Sequence, residues 1–101
     1  MNPDTLFQHA RARFDHESAR RLLREKYESK MLFAYREGMW RAGPELLALL
    51  HSCDGTDLVL LDLYGTPVQI NRQELRELAM CRWQEQMTAW LLEYQNLQNK
   101  R

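Results

Sequence analysis

The chain has 101 residues, 45% of them apolar and 28% charged, and its 14 basic and 14 acidic side chains cancel. That length predicts one domain able to bury roughly two-thirds of its unfolded surface, and that composition excludes disorder as the default. Zero net charge excludes a global attraction to nucleic acid or anionic membrane, and it leaves little repulsion against self-association.

Pro3-Asp4-Thr5 opens the first predicted element, with Asp4 or Thr5 as the N-cap of a helix. Leu6, Phe7, Ala10 and Phe14 recur at helical spacing, and Ala19, Leu22, Leu23 and Tyr27 repeat the pattern rotated on the helical wheel. The rotation predicts either a stripe that turns round one helix or a break at Asp15-His16-Glu17-Ser18. A mostly continuous N-terminal helix over residues 1–29 is the expectation.

Residues 30–70 read as two hairpins with a short helix between them. Met31, Phe33 and Tyr35 alternate with Leu32, Ala34 and Arg36, the period of a strand. Glu37-Gly38 supplies a turn in which the glycine is free to take positive φ. Met39, Trp40 and Arg41 form the return strand. Rings and arginines interleave here as on a single-strand nucleic-acid platform, but alternation alone accounts for every ring on a core-facing side. Pro44 then suits the first turn of a helix, and "PELLALLHS" offers Leu46, Leu47 and Leu50 as its apolar face. Asp54-Gly55-Thr56-Asp57 is a turn. In "LVLLDLYGTPVQI" the residues Val59, Leu61 and Leu63 share one strand face, and Leu58 and Leu60 make the other partly covered too. Pro67, lacking a donor, fits the start of an edge strand.

The sharpest local signal is Asn71 followed by Glu74, a capping box, with Ile70 and Leu75 as its hydrophobic staple. Nothing breaks the helix that follows, predicted over residues 71–98. Leu75, Ala79, Trp83, Met87, Trp90, Tyr94 and Leu97 recur at spacings of four and three. The fold class is therefore α+β, a single domain ordered α-β-β-α-β-β-α, with antiparallel hairpins packed on helices and a long C-terminal helix.

Catalytic chemistry finds no support in the residues. His9 and His16 stand seven apart on one helix face, about 10 Å, too far to share a metal, and His51 and Cys53 have no companions. Asp54, Asp57 and Asp62 lack the calcium-loop spacing. The serines lie in no nucleophile setting, and the glycines are scattered as single turn residues. No catalytic, cofactor-binding or metal-binding residue is expected, nor a small-molecule substrate. Cys53 and Cys81 form no C-x-x-C pair, the N-terminus lacks an apolar signal core, and no apolar run approaches the ~20 residues of a membrane span. A cytoplasmic protein with two buried or half-buried structural thiols is expected, with no membrane partner.

Two interaction surfaces remain. Residues 1–42 carry nine basic against six acidic side chains, and residues 43–101 carry five against eight. Arg13, Arg20, Arg21 and Arg24 could contact phosphates, yet Asp15, Glu17, Glu25 and Glu28 interrupt them as on a solvated helix face. The stronger candidate is the C-terminal helix. A compact domain of this length has a radius of gyration of ~13 Å, so it covers a ~40 Å helix only in part. Trp83, Met87, Trp90, Leu91, Tyr94 and Leu97 are the expected protein interface, for a homodimer or a partner helix centred on Trp90 and Tyr94. The competing expectation is that the helix packs wholly across its own sheet.

"SKMLFAYREGMWRAGPELLALL" and "LLDLYGTPVQINRQELRELAMCRWQEQMTAWLLEYQNL" together resemble small accessory proteins encoded by contractile-tailed bacteriophages. The shared texture is the hairpin around a glycine, the Pro-x-Leu-Leu helix, the Gly-x-Pro-Val hairpin and a long helix with Trp and Tyr. The resemblance implies a non-enzymatic role in virion structure, assembly or host interaction, in the host cytoplasm, and assigns no functional residue. A non-catalytic interaction or assembly module, self-associating through the C-terminal helix, is the expected function. The alternative is a nucleic-acid-associated protein using the Arg-rich first helix.

Overall fold

The computed structural model describes residues 3–99, without the side chains of residues 3, 4, 6, 7 and 9. Its order is α1 (Pro3–Lys30), β1 (Leu32–Tyr35), β2 (Gly38–Arg41), α2 (Pro44–Ser52), β3 (Asp57–Leu61), β4 (Pro67–Asn71) and α3 (Arg72–Asn99). The strands form two separate antiparallel pairs, β1 with β2 and β3 with β4. This is the α-β-β-α-β-β-α fold that the sequence predicts.

α1 is uninterrupted helix through Asp15 to Ser18. Asp4 and Thr5 lie inside its described span, within the helix and not at the expected cap position. α2 spans the predicted residues and buries Leu50 completely, with Leu46 and Leu47 packed beside it.

The first hairpin turns differently from expectation. Gly38 is a strand residue paired with Tyr35, and the residue at positive φ is Arg36, at 52°. Arg36-Glu37 is thus a two-residue turn whose first position, normally given to glycine, carries an arginine. Two contacts hold it there: the Arg36 guanidinium donates to the Gln69 carbonyl at 3.1 Å and lies 3.7 Å from the Glu74 carboxylate. Gly38 is needed for room. A Cβ at that position would stand 3.1 Å from the Asp62 Cβ and 3.1 Å from the Trp40 ring.

That close approach lets the second hairpin join the first. Leu63 N–H donates to the Met39 carbonyl at 3.0 Å, while Met39 N–H donates to the Asp62 Oδ2 at 3.1 Å. Asp62 Oδ1 accepts the N–H groups of Tyr64, at 3.0 Å, and of Thr66, at 2.9 Å. Trp40 is fixed in turn by its indole N–H, which donates to the Tyr35 carbonyl at 3.1 Å.

The β3–β4 hairpin buries the face opposite to the one first suggested by Val59, Leu61 and Leu63. Cross-strand pairing sets Leu58 against Ile70 and Leu60 against Val68, four large apolar side chains on one face, and these meet the core. Val59 and Leu61 pair with Gln69 and Pro67 and are each 67% exposed. The return strand decides the matter, because a strand's face is worth what both of its strands place there.

The capping box at α3 is half formed. Glu74 N–H donates to the Asn71 Oδ1 at 3.0 Å, but the Glu74 carboxylate does not return to the Asn71 N–H. The Tyr35 hydroxyl lies between them, donating to Glu74 Oε2 at 2.6 Å and accepting from Asn71 N–H at 3.3 Å. Burial first, and then the bond to Glu74, hold the Tyr35 hydroxyl above the ordinary tyrosine range. Ile70 and Leu75, the predicted staple, are both fully buried.

Both thiols are free, and Cys81 is exposed where burial or half-burial was expected. It lies outside the seam of α3, where its Sγ donates to Glu85 at 3.3 Å. No described helix is long and apolar enough to cross a membrane.

Gly38→Ala should cost about 1–3 kcal/mol, the usual range for overpacking, because both neighbours of the new methyl are pinned; urea denaturation measures it. Asp62 is also a pH device. Hydrogen bonds from the Thr66, Met39 and Tyr64 backbone, Thr66 foremost, hold its carboxyl below the usual range against the opposing effect of burial. An aspartate held low stabilises the fold above its unfolded pKa, about 3.9, and loses that contribution as pH falls through the folded value. Thermal melts should therefore drop more steeply on acidification below about pH 4 for the native chain than for Asp62→Asn.

Candidate functional site on the helical stalk

The radius of gyration is 19.4 Å and the molecule measures 66 × 24 × 21 Å, well beyond the ~13 Å of a compact chain this long. The cause is α1 and α3. Each has 28 residues, about 42 Å of helix, and they lie antiparallel as a stalk rising from the hairpins.

Heptad-like spacing explains the pairing. Trp83, Met87, Trp90, Tyr94 and Leu97 alternate steps of four and three, a seam that stays on one side of a helix facing a partner. Ala19, Leu23 and Tyr27, four apart, form the matching line on α1. Tyr27 and Trp90 stack with ring centroids 5.9 Å apart and planes within 7°. Leu97 lines a small crevice between the helices together with Ala19 and Leu23. Glu93 binds both partners from the side: Lys26 Nζ donates to its Oε1 at 2.7 Å and the Tyr27 hydroxyl at 2.6 Å. Those two bonds, Lys26 first, hold the Glu93 carboxyl below its ordinary range, and the same carboxylate raises the Tyr27 hydroxyl.

The distal half of α3 is therefore covered by α1 of its own chain, and not by the sheet. Trp83 packs against the hairpin core, and Trp90 is half-buried against Tyr27. Tyr94 is half-buried, its hydroxyl accepting from Gln98 Nε2 at 2.7 Å. Met87 and Leu91 are left on the open flank, 39% and 53% exposed. Glu93, the residue that ties the stalk, was not among the sequence candidates. Two long heptad-patterned helices at opposite ends of the chain were the available signal.

Where the stalk meets the hairpins there is an open cleft of about 700 Å³. Trp83, Met87 and Trp90 line it from α3, Met31 from the link between α1 and β1, Trp40 from β2, Leu46 and Leu49 from α2, and Leu61 and Leu63 from the turn end of the second hairpin. Among the described residues, Glu28, Glu45 and Asp62 stand at it against one cation, Arg41. Most of the lining side chains are apolar. No group of three or more His, Cys, Asp or Glu side chains among the described residues could hold a metal ion.

At the far end the described span of α1 extends past the described span of α3. The register set by Tyr27 with Trp90 brings Asn99, the last described residue of α3, level with about Ser18. The preceding turns of α1 have no helix beside them among the described residues. Phe14 is 67% exposed there, and His16 Nε2 is buried without a hydrogen-bond partner among the described residues. Of the four arginines considered for phosphate contact, Arg13 lies 3.5 Å from Glu17, and Arg20, Arg21 and Arg24 are exposed between Glu17, Glu25 and Glu28.

Trp90→Ala should open the stalk while sparing the hairpin core, since local units unfold with their own free energies. Hydrogen exchange should show lost amide protection across residues 86–99 and unchanged protection at Phe33, Trp40 and Leu75. Uniform loss across the chain would show the stalk to be one unit with the core.

No protein-family model matches the chain, and comparisons with curated proteins and with solved structures found no match.

Proposed function

We propose that this chain is a non-catalytic protein-interaction or assembly module that self-associates through α3. The observation that carries the reading is the flank of α3 beside the cleft, where Met87 and Leu91 stay 39% and 53% exposed after α1 has covered the seam. Trp90 and Tyr94 border that flank, and aromatic side chains of this kind are enriched among binding anchors. The cancelled charge of the chain leaves little electrostatic opposition to a second copy. A bacteriophage accessory role is one setting for such a module, supported by the texture of the hairpins and long helix; genes for tail or capsid proteins beside its own would support that setting.

Sedimentation equilibrium of the native chain should show concentration-dependent dimers, weakened by Met87→Glu and Leu91→Glu with unchanged circular dichroism. A monomer at every accessible concentration removes the reading. A retarded nucleic-acid band at about 50 mM salt, lost by about 200 mM, would favour the arginine face of α1 instead.

A further inference from the structure

α1 carries a second seam that no other described residue covers. Ala10, Phe14, Glu17, Arg21, Arg24 and Glu28 follow one another at steps of four and three, and all six are exposed. This line lies well round the helix from Ala19, Leu23 and Tyr27, which face α3. Its position on the stalk is fixed by Glu28, which lines the basal cleft with Met87 and Trp90. Phe14 and Ala10 precede Glu28 by about four and five whole turns, so they point to the same side as the cleft. Ala10 and Phe14 at one end and the cleft at the stalk's base are therefore two ends of one face.

The order of charges along this seam is self-complementary when reversed. Read from its midpoint, Glu17 lies on one side and Arg21 on the other, so an antiparallel copy sets Glu17 of each chain against Arg21 of the other. Phe14 then meets Arg24 of the second copy, the geometry of a ring under a guanidinium, and Ala10, with no bulk, meets Glu28 at the rim of the cleft. Arg21, Arg24 and Glu28 make no ion pair within the chain among the described residues.

We propose that a second copy of this chain docks antiparallel along the outer face of α1, so that Ala10 of each α1 reaches Glu28 at the rim of the other's cleft. The contact is isologous, each chain giving and receiving the same surface. Among the described residues the cleft is lined by three acidic groups against one basic, and Arg11 stands next to Ala10, which reaches its rim. This inference rests on the self-association reading and adds to it the partner segment and the register.

The test is charge reversal read by sedimentation equilibrium, with circular dichroism as the check on folding. Glu17→Arg and Arg21→Glu should each raise the dimer dissociation constant about tenfold or more, since like charges then face each other across the contact. The double variant should return it to within about threefold of the native value, although Arg13 then faces an arginine at position 17 within its own helix. Phe14→Lys should weaken the dimer, and Leu92→Glu, on another face of the stalk, should not. Dimers indifferent to the single reversals, or a double variant no better than the singles, overturn this register and leave association through α3 standing. A native chain that never dimerises overturns both.

Discussion

Two-stranded hairpins are marginal in water, so this molecule depends on how its two hairpins are joined at Met39. The join has one backbone bond, Leu63 N–H to the Met39 carbonyl, where a continuing ladder would have a row of them. The Asp62 carboxylate takes the place of the next acceptor and binds Met39 N–H while closing its own turn through Tyr64 and Thr66. Gly38 is the steric condition for this, because any side chain there meets Asp62 and Trp40. With the hairpins held so, Phe33 and Trp40 from one and Val68 and Ile70 from the other become one apolar layer, against which Leu50, Leu75 and Ala79 close.

The layer is only large enough to hold the first turns of α3. Beyond Trp83 the helix leaves the hairpins, and its stability comes from α1 through Tyr27, Trp90 and the shared carboxylate of Glu93. This division separates two jobs in space. The hairpin end is a packed body with its hydrogen bonds closed internally, down to the Tyr35 hydroxyl that links Asn71 to Glu74. The stalk end presents side chains on a two-helix frame, apolar on α3 and charge-patterned on α1. An elongated shape of 66 Å from so short a chain gives surface at the expense of core.

Much of this was legible locally. α2 could be placed from Pro44 and three leucines, and the start of α3 from Asn71, Glu74 and the Ile70–Leu75 staple, because caps and turns depend on neighbours within a few residues. The heptad spacing of Trp83 through Leu97 announced that α3 wants a partner helix. It could not say which helix, since a seam looks the same whether its partner is in the same chain or in another. Cys81 was misplaced for a related reason: an isolated thiol carries no pattern, and only the rotation of α3 against the core decides its exposure.

The sequence by itself determined the order and type of every element and the identity of the fully buried Leu50, Ile70 and Leu75, since periodicity, capping and turn chemistry act over short stretches of chain. Tertiary structure alone decided which face of β3 is buried, because Leu58 and Leu60 prevail only once Val68 and Ile70 stand opposite them. It also decided that Gly38 serves close approach and not turn geometry, that Arg36 can hold positive φ with Gln69 and Glu74 to anchor it, and that α1 covers α3. Each of these is a choice between local patterns of nearly equal merit, settled by contacts between residues far apart in the chain.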